Sequence, residues 1–227
     1  METLGTSPSF THTVISAFQK GGYAMWLIAI AMVVGLVFAL ERFIRLTQAN
    51  VNATLFMVEV QKYILANDLD GAIRLCNGTG KAALPKVVKA GLQRASRDQE
   101  QIQNAIDAAS LEVIPKLERN LPYLALIANV ATLLGLLGTI SGLIQSFKAI
   151  EQGDPAQRQA ILAAGISEAM NATAFGLVTA IFAMVAHSVL SNKATKILEE
   201  IDEFGVKLLD LLSARRFHHS SEKAGRE

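Results

Sequence analysis

One cysteine, Cys76, is all the chain has, so no intrachain disulfide can brace it. The four histidines, His12, His187, His218 and His219, do not cluster with cysteines or carboxylates at metal-ligand spacing. No nucleophile, base and acid stand together, so neither an enzyme nor a metal or other cofactor is expected. A phosphate-binding loop is excluded too: in "GTGKA", Gly78 to Ala82, the first glycine of the motif is missing upstream and Ala82 stands where a serine or threonine should be. The net charge of +1 comes without a basic face for nucleic acid.

Charge is missing most conspicuously from three long stretches. Tyr23 to Leu40 has none across 18 residues, Leu121 to Phe147 none across 27, and Ala169 to Asn192 none across 24. Each can cross about 30 Å of hydrocarbon at about 1.5 Å per residue. Three transmembrane helices are expected, at 23–40, 121–147 and 161–190, in a chain that is 51% hydrophobic. A buried helix of a large soluble core is the alternative for each run, and a cleaved signal peptide is a second for the first. That run is long, has only Lys20 before it and lacks a small-residue cleavage pattern, so a retained anchor is expected.

Of the 21 lysines and arginines, one precedes the first run, eleven lie between the first and second, two between the second and third, and seven follow. The positive-inside rule then puts the N-terminus outside and the C-terminus in the cytoplasm. Residues 1–22 form an outer segment, weakly amphipathic over 6–20 before Gly21-Gly22 breaks the helix; 148–160 form an outer loop. A cytoplasmic region, 41–120, reads as helical continuations of the first two spans, with a turn at "CNGTGKAALP" and apolar positions at Val51, Leu55 and Val58, then Ile102, Ile106, Ala109, Val113 and Leu117. If Gln99 to Phe147 is one helix, it is about 70 Å long, bent at Pro115 and Pro122. In the last segment, 191–227, Ile197, Ile201, Phe204, Leu208 and Leu211 form a stripe expected to pack on the 99–120 helix, ahead of a disordered tail, "HHSSEKAGRE".

One carboxylate interrupts an otherwise uncharged run from Gln159 to Asn192: Glu168. An acidic group at the centre of a spanning helix costs about 2.5 to 3.5 kcal/mol. Glu168, about two turns inside the outer boundary of the span, is therefore expected to face protein or water. The alternative is a helix that starts at Glu168, with the carboxylate at the interface. Small and hydroxylated residues stripe both later spans: Thr132, Gly135, Thr139, Gly142 and Ser146 on one, Gly165, Ala169, Ala172, Gly176, Ala180 and Ala183 on the other. Close helix packing explains most of them, with Gly138 and Gly142 forming a small-xxx-small pair. Thr139 and Thr173 are the hydroxyls singled out as possible lumen groups.

"NVATLLGLLGTISGLIQSF", followed about twenty residues later by "GISEAMNATAFGLVTAIFAMVAHSVL", resembles the paired membrane motifs of the MotA/TolQ/ExbB proton-channel family, in its three-span ExbB and TolQ branch. The resemblance implies an all-α bacterial inner-membrane protein that forms a homo-oligomer, a pentamer in this family, around the single-span helices of a dimeric ExbD- or TolR-like partner. That partner would supply the proton-binding aspartate and pass work to a TonB-like or other envelope effector. It also implies that Thr139 and Thr173 face the pore and that Glu168 is the glutamate of the third span. Thr132 and Phe182 stand where many members have proline, and Ser188 replaces a frequent asparagine; both helices should be straighter for it. Which process is energised, and whether by H⁺ or Na⁺, stays open. A non-conducting scaffold that uses the small-residue faces to oligomerise is the competing reading, and a channel needing no partner is a third.

Overall fold

The computed structural model describes residues 22–152 and 155–224. Among the described residues seven helices follow one another: α1 Gly22–Ala49, α2 Ala53–Leu65, α3 Leu69–Gly78, α4 Ala83–Leu92, α5 Gln99–Glu118, α6 Leu121–Gln152 and α7 Arg158–Ala224. The expected amphipathic stretch 6–20 lies outside the described residues. Three stretches, in α1, α6 and α7, are long and apolar enough to cross a membrane. The chain divides into two units, one containing the residues up to Leu40 with Asn120–Ser188, the other Glu41–Arg119 with Val189 onward.

The first unit has its large apolar side chains on the outside. Trp26, Ile30, Val33, Val37 and Leu40 run down α1 at spacings of three and four, and all are exposed. Leu133, Leu136, Ile140, Ile144 and Phe147 do the same on α6, and Met170, Leu177, Ile181 and Met184 are exposed along one face of α7 at spacings of seven, four and three. The buried side combines a few large residues, Met25, Ile28 and Leu124, with many small ones: Ala128, Ala131, Ala180 and Ala183 form one cluster, with Ile127 against it. A soluble core has the opposite arrangement, so the soluble-helix alternative fails here. α1 joins the pair through Gly35 against Ile127 and through Phe38, whose ring stacks on Tyr123 at 5.7 Å between centroids. No proline breaks α6 at Thr132 or α7 at Phe182, and both helices run through these positions without interruption.

The second unit is an ordinary apolar core under helical capping control. Asn52 caps α2 by accepting from the Leu55 N–H at 3.2 Å, and Asp68 caps α3 by accepting from the Gly71 N–H at 2.8 Å. Asn67, at φ 62°, turns the chain between them. α4 packs on α5, and Ile106 of α5 reaches both Gly91 of α4 and Gly205 of α7. Ile197, Ile201, Phe204 and Leu208 are buried in this unit, so the C-terminal stripe finds its partners within the chain. Its last member is Leu212, with Leu211 only half-buried. Lys193 of α7 donates to Thr47 Oγ1 at 2.7 Å and lies over the Phe43 ring.

Four expectations need correction. Gln99 to Phe147 is two helices: the chain leaves α5 at Arg119, and Asn120 takes a left-handed φ of 65° before α6. Pro122 then stands in the first turn of α6, where a missing N–H costs nothing. Leu55 and Val58 are exposed, and α2 instead buries Ala53, Phe56, Met57, Val60 and Ile64. The turn is confined to Thr79–Ala82, because α3 continues through Cys76 to Gly78 and Gly80 supplies the positive φ. The tail expected to be disordered continues α7 as far as Ala224.

Candidate functional site in the membrane unit

α6 and α7 run antiparallel through their small-residue faces. Gly142 lies against Gly165 and Ala169, Gly138 against Ala172, and Gly135 against Gly176 and the Cα of Thr173. Gly176 in turn meets the Ala131 carbonyl. Backbones this close leave no room for side chains, which is why glycine and alanine occupy both faces. All seven residues expected to pack helices, Gly135, Gly138, Gly142, Gly165, Ala169, Ala172 and Gly176, thus lie along this one seam.

Hydroxyls stitch the same seam. Thr173 donates across it to the Gly135 carbonyl at 2.9 Å, while Thr139 donates back to Leu136 on its own helix at 2.6 Å. Ser146, buried, donates to the Gly142 carbonyl at 2.8 Å, and its oxygen fills the place a side chain on Gly165 would take. Thr132 also bonds its own helix, to Ala128 at 3.0 Å. In each case the O–H is committed to a backbone carbonyl, as hydroxyls in apolar helices commonly are, and the oxygen keeps lone pairs for a further donor.

Glu168 lies elsewhere on α7. The helix begins at Arg158, so ten residues precede the carboxylate, and the alternative of a helix starting at Glu168 fails. Its Oε1 occupies the position a β-carbon on Gly22 would take, beside the first residue of α1. Gly22 has φ 62°, a second reason for glycine there. Neighbouring contacts confirm the level: Ala24 touches Gly138, and the Tyr23 hydroxyl donates to Ser141 Oγ at 2.8 Å. A carboxyl group at this place lies at the positive end of the α1 dipole. The structure therefore brings Thr173 to the glycine seam and Glu168 to the start of α1.

Gly22, Tyr23 and Ser141 are site residues that sequence reasoning missed. "GG" at 21–22 signals a helix start, but only the fold shows that Glu168 fills the missing side chain's space. Among the described residues no group of three or more histidine, cysteine, aspartate or glutamate side chains could hold a metal. His187 stands half-buried in α7.

Residues 80–203, from the turn before α4 to the middle of α7, match the MotA/TolQ/ExbB proton channel family. The chain belongs to this family. It is 26% identical over 197 residues to a biopolymer transport protein ExbB homolog of Methanothermobacter thermautotrophicus, an alignment covering 86% of this chain and 68% of that protein. It is 38% identical over 104 residues to the Tol-Pal system protein TolQ of Haemophilus influenzae, covering 44% of this chain and 45% of that one. These relatives place it in the ExbB/TolQ-like branch. Its fold is similar to that in the structure of C. jejuni MotAB, with a TM-score of 0.59 at 18% identity, over 90% of this chain and 84% of that one. The matched stretch contains Glu168, Thr139, Thr173 and the whole glycine seam.

Proposed function

We propose that the chain is the channel-forming subunit of a proton-driven energising complex in a bacterial inner membrane, with its N-terminus in the periplasm and its C-terminus in the cytoplasm. Five copies surround the single-span helices of an ExbD/TolR-like dimer, whose aspartate takes up and releases the proton. Proton flow down its gradient moves one component against the other, and the partner delivers the work to an envelope process through a TonB-like or other effector. The chain does this as a channel and stator, not as an enzyme.

The observation that carries the reading is Glu168, the one acidic side chain within α7's uncharged stretch, in a chain of the proton-channel family. Its role is to place a carboxyl group beside the start of α1, facing protein or water and not lipid. Thr139 and Thr173, their O–H groups committed to carbonyls, offer only lone pairs outward. That makes them acceptors for a protonated carboxyl group or a water, and poor hosts for a bare carboxylate. In the neutral form, the partner's aspartate can pass such a surface at little cost.

The scaffold reading assigned oligomerisation to the small-residue faces. Within one chain those faces already cover each other, which counts against it. In membranes containing chain and partner together, Glu168→Ala, Thr139→Val and Thr173→Val should each abolish proton-dependent work while the complex still assembles; full activity in all three would favour a scaffold. Liposomes with the chain alone should show no proton flux, and robust flux would favour the partner-free channel.

A further inference from the structure

Two residues beyond Leu40, where the first uncharged run ends, α1 buries an arginine. Arg42 is 1% exposed, and its two terminal nitrogens donate to the Lys116 carbonyl of α5 at 3.2 and 3.3 Å. Its Nε is buried without any hydrogen-bond partner. Burial lowers the Arg42 pKa from its ordinary value although the neighbouring Glu41 carboxylate opposes the shift, so the carbonyl and that carboxylate together do not offset the cost of desolvating the guanidinium. Arg42 also lines a cavity of about 420 Å³ within the second unit, bounded by α1, α5 and the start of α4.

The cavity is cationic. Arg45, Lys81, Lys86 and Lys116 line it with Arg42, against a single carboxylate, Glu41. Glu41 is taken by Arg45 at 2.7 Å, and Lys116 is paired with Glu112 at 2.5 Å. Beyond those pairs the lining still carries Arg42, Lys81 and Lys86. Lysines alone on a surface would be an ordinary solvated face. A buried arginine with an orphaned donor beside a cavity is not.

We propose that this cleft binds a phosphate group, held by the Arg42 guanidinium and the ammonium groups of Lys81 and Lys86. Tetrahedral phosphate oxygens suit both donors: a planar fork from arginine and point charges from lysine. Two sources supply that chemistry. A phospholipid headgroup would reach the cleft from the membrane, and the position of Arg42 just past the apolar run fits it. A soluble phosphate would reach it from the cytoplasm. Either would tie the end of α1 to α5 and the α3–α4 turn. The proposal does not depend on proton conduction.

The test uses the full chain in nanodiscs at fixed ionic strength. One arm compares phosphatidylcholine discs with discs containing phosphatidylglycerol, reading the thermal midpoint and, by native mass spectrometry, the lipid retained. The other titrates inorganic phosphate into phosphatidylcholine discs. A rise with phosphatidylglycerol alone assigns the headgroup, and a rise with inorganic phosphate assigns a soluble anion. In either case Lys81→Gln/Lys86→Gln, two exposed positions whose loss leaves the core intact, should weaken the effect about 10-fold or more. Lys62→Gln, on α2, should leave it unchanged. The proposal is overturned if neither phosphatidylglycerol nor phosphate shifts the protein. It also falls if the double variant binds as the parent does, or if Lys62→Gln weakens binding equally.

Discussion

Gly176→Ala places a methyl group where two backbones already meet. A β-carbon there would stand 2.7 Å from the Ala131 carbonyl oxygen and 3.0 Å from the Gly135 Cα. Neither atom can rotate aside, so α6 and α7 must separate by several tenths of an ångström. Overpacking of this kind costs about 1–3 kcal/mol. Thr173 bonds Gly135 at the same level, and stretching that bond adds about 0.6 kcal/mol, the average for such contacts in a membrane protein. Alanine's better helix propensity returns about 1 kcal/mol. The net loss is about 1.6 kcal/mol, or about 15-fold in the folding equilibrium. The geometry also sets an order. At Gly138 the obstruction is the Ala172 methyl at 2.7 Å, and at Gly142 the Ala169 methyl at 3.2 Å, so the cost should fall from Gly176 to Gly138 to Gly142. Steric trapping of the membrane unit in micelles measures all three. A Gly176→Ala protein within about 0.5 kcal/mol of the parent, or a reversed order, would refute the account of the seam.

Gly22→Ala should push the Glu168 carboxylate from its place and strain a φ of 62°, lowering proton-dependent work although Glu168 itself is intact. Transport measured beside Glu168→Gln tests this, and normal activity would mean the contact is incidental. Burial pushes the Cys76 thiol up to about 11 from 9.0. At pH 7.5 maleimide should therefore label it about 100-fold more slowly than an exposed thiol, and stability should fall as pH rises from 9 toward 11, because the unfolded chain loses that proton first. In the second unit, Leu208→Ala should cost about 3–5 kcal/mol at a fully buried site. Gly91→Ala should cost less than half of that, since its new methyl meets only the Leu208 and Ile106 side chains, which can yield; denaturant titration compares the two.

Several features were legible in the sequence because they depend on local composition. An uncharged run of 18 residues or more is a spanning helix wherever it sits, and a carboxylate inside one stands out on cost alone. The stripe from Ile197 to Leu208 was equally readable, because heptad spacing fixes which side chains share a face. Misreadings arose where local signals were ambiguous. On α2 two faces carry apolar residues, and Leu55 and Val58 lie on the exposed one. Two prolines suggested a bend near residue 120, yet the break is made by Asn120 in a left-handed conformation, which asparagine tolerates without announcing it.

By itself, then, the sequence determined which stretches are long and apolar enough to cross a membrane, where most of the helices fall and which family the chain resembles, since hydropathy and periodicity act within one helix. Only the tertiary structure decided that the glycines of α6 and α7 face each other, that Thr173 bonds across to Gly135, that Glu168 fills the space beside Gly22, and that Arg42 lies buried over a cationic cleft. Each of these joins residues tens of positions or more apart. Their contact depends on how helices dock, and no pattern along one helix encodes that.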